Sequence, residues 1–310
     1  MKIAFVFPGQ GSQTVGMFDA WADHAVAMDV MRQAGDALDQ DLLALMAQGP
    51  AAELDLTRNT QPVMLASALA MYLAWCAEGG PVPEVMAGHS LGEYTALAAA
   101  GALDLPDAVR LVRLRAEAMQ AAVPQGEGAM AALLGLEDDA VVAVCEQAAL
   151  GEVVEAVNFN APAQVVIAGH LAAVERACAL AREAGARRAV MLPVSAPFHS
   201  SLLRPAAEIL AKALEAVELR SPGVTLINNV DVASPQTPAE IRDALVRQAW
   251  HPVRWVEIIR RMKNDGVTHV VECGPGKVLS GLLKRIDRDL VGLSITDTAS
   301  LHATLEKLQG

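Results

Sequence analysis

In Gly88-His89-Ser90-Leu91-Gly92 a serine stands between two glycines, directly after the apolar run Val85-Met86-Ala87, and this leaves the chain few local folds to choose from. A chain that leaves a buried strand, turns sharply through a serine and enters a helix at once needs glycine on both sides. A Cβ at either position would collide with the turn or with the neighbouring strand. The helix that follows, 93–100, aims its N-terminal amides and dipole at the hydroxyl, where they would stabilise an oxyanion. A chance G-x-S-x-G in a chain this long has odds on the order of one in ten. The motif alone therefore indicates a nucleophile elbow and leaves the reaction open.

Periodicity around the elbow gives the architecture. A strand at 3–7 runs into Pro8-Gly9-Gln10-Gly11-Ser12-Gln13, which lacks the G-K-[ST] of a P-loop and the third glycine of a dinucleotide fingerprint. It reads as a loop presenting backbone amides beside an active site. Helical patterns cover 17–34, 38–48 and 62–76, the last with Pro62 in its first turn, and a strand covers 82–87. The helix 106–122 carries Arg110, Arg113 and Arg115, a spacing that usually decorates a solvated face. Residues 123–128 break the pattern and mark a domain crossing. Strand 130–134, helix 137–149, strands 153–158 and 164–168, helix 171–184 and strand 187–192 then follow in the β-α-β-β-α-β order of a ferredoxin-like unit. Alternation resumes with helix 201–217, strand 224–228, helices 238–248 and 253–264, strand 269–272 and helix 278–286. The expected fold is α/β, a large α/β-hydrolase-like domain with a mainly parallel sheet (1–126 and 196–310) and an inserted ferredoxin-like subdomain (127–195).

Composition narrows the function. Hydrophobic residues at 53% against 19% charged suit a compact enzyme-like body. A formal charge of −12 opposes nucleic-acid binding, and no basic run interleaved with aromatics occurs. Cys76, Cys145, Cys178 and Cys273 form no C-x-x-C pair, which argues against zinc or a redox dithiol. The apolar stretch 63–77 is too short to span a bilayer, and the N-terminal strand stops at Pro8-Gly9 before a signal-peptide core forms. A cytoplasmic protein with no metal, no cofactor and no membrane contact is expected.

A serine hydroxyl needs a base, so the histidines come next. His24 and His302 lie in polar helical stretches, His170 starts a helix in the insert, and His269 begins a strand. The side chain of His89, inside the elbow, is expected to point away from that of Ser90. His199 sits in the proline-bounded loop Pro193-Val194-Ser195-Ala196-Pro197-Phe198-His199-Ser200, where the insert rejoins the large domain, and is the candidate base, with helix capping or packing as the alternative.

Three segments taken together, residues 7–13, Gly88-His89-Ser90-Leu91-Gly92-Glu93-Tyr94 and Pro197-Phe198-His199-Ser200, resemble the signatures of malonyl-CoA:acyl carrier protein transacylases. Asn228-Asn229-Val230, Arg247-Gln248 with Pro252-Val253, and residues 272–279 extend the resemblance over essentially the whole chain. It implies Ser90 as the acylated nucleophile, His199 as general base and later acid, and backbone amides of Gln10 and Leu91 as the oxyanion hole. It implies the Gln248 backbone carbonyl as the partner of His199, Arg115 as the cation that pairs with the malonyl carboxylate, and Phe198 as a steric filter on the acyl group. Malonyl-CoA and a phosphopantetheinylated acyl carrier protein are then the substrates, used in ping-pong order by a monomer in fatty acid biosynthesis. Arg187 with Arg188, and Lys277 with Lys284 and Arg285, are candidate carrier-protein contacts. Competing readings are a serine hydrolase, which the elbow alone permits, and a noncatalytic module or complex subunit on the same fold.

Overall fold

Short apolar strands alternate with helices along most of the chain in the computed structural model, which describes residues 1–194 and 196–309. The first part runs β1 (Ile3–Phe7), α1 (Ala25–Leu38), α2 (Leu42–Gln48), α3 (Ala51–Leu54), α4 (Thr57–Ala77), β2 (Val85–Gly88), α5 (Gly92–Ala99) and α6 (Leu105–Ala121). An insert follows: β3 (Gly128–Leu134), α7 (Asp138–Ala149), β4 (Val154–Ala161), β5 (Gln164–His170), α8 (Leu171–Glu183) and β6 (Arg188–Met191). The last part runs α9 (Arg204–Glu215), β7 (Thr225–Ile227), α10 (Pro238–Gln248), α11 (Trp255–Asn264), β8 (His269–Cys273), α12 (Val278–Ile286), β9 (Val291–Ile295) and α13 (Thr298–Gln309).

β7, β2, β1, β8 and β9 lie side by side in that order, and every neighbouring pair is parallel. A parallel sheet is covered on both faces, so its strands read as continuous apolar runs. In β1 the alternation splits the run: Phe5 and Phe7 pack with Met64, Tyr72 and Trp75 of α4, while Ala4 and Val6 pack with Trp255, Ile258 and Ile259 of α11. Helix α4 is long and apolar enough to cross a membrane, yet 83% of its apolar window is buried inside the protein. The second sheet, β4-β5-β3-β6, is antiparallel and covers one face with α7 and α8 through Leu133, Val141, Val165, Ile167 and Val174. It is hydrogen-bonded to the larger body: the Val253 amide donates to Val157 O (2.9 Å) and the Phe159 amide to Val253 O (3.0 Å). A large parallel-sheet α/β body carrying a ferredoxin-like unit is therefore the fold, as the periodicities predict.

Several boundaries differ from the sequence reading. The helix expected over 17–34 is a 3-10 turn, Asp19–Trp21, followed by α1, because the His24 ring accepts from the Ala27 amide (3.3 Å) and caps a new start. His24 is thus a cap and not a mid-helix residue. Asp39, at φ 50°, ends α1, and the Asp41 carboxylate caps α2 at Leu42 instead of residue 38. Helix α4 begins at Thr57, so Pro62 lies inside it, where it removes one backbone donor. The polar start Thr57-Arg58-Asn59-Thr60-Gln61 masks that turn in the sequence. β2 begins at Val85, since Val82 is exposed between Pro81 and Pro83. Helix α9 follows a 3-10 turn at Ser201–Leu203, and α11 starts at Trp255 because the Val253 backbone is engaged by β4. β9 and α13 have no counterpart in the sequence reading; Gly292 and Ser294 dilute the strand pattern of β9. Ser195, at the expected boundary of the insert, and Gly310 lie outside the described residues.

The strand ends converge at Gly92. A Cβ there would lie 2.1 Å from Phe7 O and 3.0 Å from Pro8 O, so α5 starts in contact with the end of β1. Gly92→Ala is expected to destabilise the protein by about 1–3 kcal/mol or more, read by denaturant unfolding. An unchanged midpoint would contradict this close approach.

Candidate active site

Ser90 leaves β2 at φ 53°, the left-handed region. Gly88 makes the turn sterically open, because a Cβ on it would sit 1.8 Å from the Gly92 carbonyl. One side chain then locks the turn. Asn229, just after β7, accepts from the Ser90 amide through Oδ1 (2.7 Å) and donates to Gly88 O through Nδ2 (2.7 Å). The Asn229 amide in turn donates to Glu93 Oε2 (2.9 Å).

His199 reaches the elbow from the loop after the insert. Its Nε2 is 2.6 Å from Ser90 Oγ, and its Nδ1 is 2.8 Å from the backbone carbonyl of Gln248. A carbonyl only accepts, so Nδ1 carries the proton and Nε2 offers its lone pair to the serine hydroxyl. His199 also has a positive φ, 66°, and strain of this kind gathers at functional sites. Burial, and after it the charge of Arg115, pushes its imidazole down to about 3. The ring is therefore neutral at neutral pH.

Arg115 closes the site from α6. It is 3% exposed, and its guanidinium donates to Gln61 Oε1 (2.8 Å), Gln248 Oε1 (3.1 Å) and Ser90 Oγ (3.2 Å). Its carbon lies 5.4 Å from the centre of the Tyr94 ring, a cation–π distance. Burial pulls the guanidinium below its usual value, while Tyr94 and Glu93 push it back. Glu93 is also buried, and desolvation raises it to about 7 in spite of its bonds to Asn229 and Gln248. The Gln248 side chain ties these groups together, since its Nε2 donates to Ser90 O (2.8 Å) and to Glu93 Oε2 (3.1 Å).

The structure thus brings Ser90, His199, Gln248 and Arg115 together. The solvated-face reading of the arginines fails for Arg115; Arg110 is exposed beside Asp107, and Arg113 is half-buried and bonded to Gln40. Leu91 is the N-cap of α5, where the first amides have no acceptor within the helix. Gln10 is exposed, two residues beyond Pro8, whose carbonyl approaches Gly92. Phe198 is buried in the main core immediately before His199. His89 turns away from the serine: its Nε2 is 2.7 Å from Asn160 Oδ1 and its ring meets Trp255 edge-on. Gln61, Glu93, Tyr94 and Asn229 are site residues to which the sequence reading gave no role. Glu93 carried a signal, being the one charged side chain in the otherwise apolar run 91–100. Among the described residues no cluster of His, Cys, Asp and Glu could hold a metal ion, and all four cysteines are free.

The family described as the acyl transferase domain matches residues 4–301. The malonyl CoA-acyl carrier protein transacylase of Haemophilus influenzae is 54% identical over 99% of this chain and 99% of its own length. Among solved structures, an acyl-carrier-protein S-malonyltransferase from Burkholderia pseudomallei superposes with a TM-score of 0.97 at 61% identity, covering 99% of this chain and all of that one. A malonyl-transacylase in complex with its type II PKS acyl-carrier protein gives a TM-score of 0.98 at 47% identity, covering 99% and 100% of the two chains.

The depressed basicity of His199 has a spectroscopic consequence. Its ring nitrogen resonances are expected to stay at neutral-tautomer values from pH 8 down to about pH 5. A titration midpoint near the ordinary value of about 6.5 would contradict the assignment.

Proposed function

We infer that this chain, a member of the acyl transferase family and within it of the malonyl CoA-acyl carrier protein transacylases, moves malonyl groups from coenzyme A to the phosphopantetheine thiol of an acyl carrier protein in fatty acid synthesis. Ser90 is the relay. Its Oγ attacks the thioester carbonyl while His199 Nε2 takes the hydroxyl proton; the C–S bond then breaks, and the imidazolium returns the proton to the departing thiolate. The carrier-protein thiol reverses these steps and releases Ser90. The amides of Gln10 and Leu91 stabilise the tetrahedral oxyanion, aided by the dipole of α5. The Gln248 carbonyl fixes the tautomer of His199.

One observation carries this reading: a buried guanidinium 3.2 Å from the nucleophilic oxygen. Arg115 Nε and Gln61 Nε2 are buried and have no acceptor among the described residues, so an acyl group bearing a carboxylate finds donors ready there. Acetyl would bring no ion-pair partner to the guanidinium, and forgoing that pair costs up to about 3–5 kcal/mol by analogy with broken buried pairs. The malonyl carboxylate also offsets the charge that holds His199 down, so the proper acyl group strengthens its own base. Phe198, next to the histidine, limits branching at the acyl carbon. A serine hydrolase is the weaker reading, because the His199 partner is a neutral carbonyl and not a carboxylate.

We assign residues 1–126 and 196–310 to the catalytic body and 127–195 to the subdomain, and expect a cytoplasmic monomer that needs no cofactor. The exposed pairs Arg187 and Arg188, and Lys284 and Arg285 with Lys277, are the surfaces proposed to meet the acidic carrier protein.

Intact mass after incubation with malonyl-CoA is expected to show a single malonyl adduct that Ser90→Ala abolishes, and no adduct would refute the relay. Arg115→Ala is expected to lower malonyl loading by about 100-fold or more while acetyl loading is kept or rises. Equal loss of both would contradict the carboxylate role.

A further inference from the structure

Among the described residues the acceptors of Arg115 are neutral oxygens, on Gln61, Gln248 and Ser90, yet the guanidinium is almost fully buried. A buried cation needs a counter-charge, and the carboxylate that acts on it is that of Glu93, 1% exposed on α5. The two are joined through one amide: Gln248 Oε1 accepts from Arg115 (3.1 Å) and Gln248 Nε2 donates to Glu93 Oε2 (3.1 Å). We propose that Glu93 is the internal counter-charge of Arg115, a positioning residue that acts through Gln248 and sets how strongly the pocket prefers an acyl group bearing a carboxylate. The proposal rests on the malonyl role given to Arg115 above.

Two features make the charge separable from the geometry. Both bonds to Glu93, from the Asn229 amide and from Gln248 Nε2, end on the same oxygen, Oε2. A glutamine substituted there keeps both with its one carbonyl oxygen and removes only the charge. The second feature is the position of the carboxyl group, which burial has raised to about 7. It is ionised at pH 8.5 and mostly neutral at pH 6. The other charged or titratable groups that face it hold one state over that range. Arg115 of α6 stays protonated, Tyr94 of α5 is raised further above neutral, and Asp231 after β7 is lowered by Arg247. The nearby ring of His199, held down to about 3, stays neutral over that range, and burial lowers the ring of His89 as well.

While Glu93 is charged it competes with an incoming carboxylate for the field of Arg115; once neutral, it leaves that field to the substrate. The test measures the equilibrium Kd of malonyl-CoA and of acetyl-CoA by calorimetry in the Ser90→Ala background, so that no acyl transfer occurs. The ratio of the two cancels the shared coenzyme. At pH 8.5, adding Glu93→Gln is expected to raise the malonyl preference about tenfold. With Glu93 in place the preference is expected to rise similarly from pH 8.5 to pH 6, and in the Glu93→Gln protein it is expected to stay flat. The pH comparison on the unsubstituted position decides the matter if Glu93→Gln does not fold. A malonyl preference that neither the substitution nor the pH moves overturns this inference and leaves the role of Arg115 standing. No malonyl preference in the Ser90→Ala parent at either pH overturns both.

Discussion

The left-handed backbone of Ser90 is the constraint on which the site depends, and the Asn229 side chain is what holds it. A non-glycine residue in that region costs on the order of 1–3 kcal/mol. The two hydrogen bonds of Asn229 offset this cost because they satisfy the Ser90 amide and the Gly88 carbonyl, groups that the sharp turn withdraws from the sheet. Asn229 can do so because β7 lies beside β2 in the parallel sheet, so the loop after β7 emerges next to the elbow. The order of strands thus has a direct chemical result: the hydroxyl stands clear of the sheet at the start of α5.

The second constraint is charge in a closed space. Arg115 and Glu93 are both buried, and the hydrogen bonds that join them run through Gln248. Gln248 stands between them, and the same residue supplies the carbonyl that orients His199. A displacement of α10 would therefore disturb the base, the cation and the elbow together. This coupling explains the neutral amide of the Gln248 side chain, while its backbone carbonyl takes the place beside the histidine that an acid's side chain often fills in serine hydrolases. A carboxylate at this position could not donate to Glu93 or to Ser90 O, and it would place a second negative charge beside the first.

How much of this the sequence disclosed depended on whether a residue's neighbours are local. Gly88 and Gly92 are legible because the turn itself demands them, and the ferredoxin-like insert because each of its elements has its own periodicity. His199 is legible from its rigid loop. Arg115 is different. The apolar stripe of α6, through Ala108, Leu111, Val112 and Met119, includes position 115, so the helical phase did place this arginine on the core face. Reading the three arginines as one decorated surface overlooked that phase, and only the family resemblance singled out Arg115. Gln61 was hidden by the polar first turn of α4, and Asn229 by a strand of three residues that gives no view of what lies across the sheet.

On the proposed roles, the weakness of the base bears on which nucleophile completes the reaction. An imidazole held near 3 is a poor acceptor for a proton from water, whose pKa is about 15.7. A thiol, with a pKa of about 8.5, needs far less help and is intrinsically the better nucleophile. Pairing of the malonyl carboxylate with Arg115 relieves part of the depression of His199, yet burial, its larger cause, persists while the ester stands. A carboxylate partner in place of the Gln248 carbonyl would strengthen the imidazole and narrow the gap between the two nucleophiles. The Ser90 hydroxyl that the same imidazole must deprotonate is about as weak an acid as water, so the base alone does not choose the second nucleophile; the thiol is favoured by its own acidity and nucleophilicity, which ask less of His199.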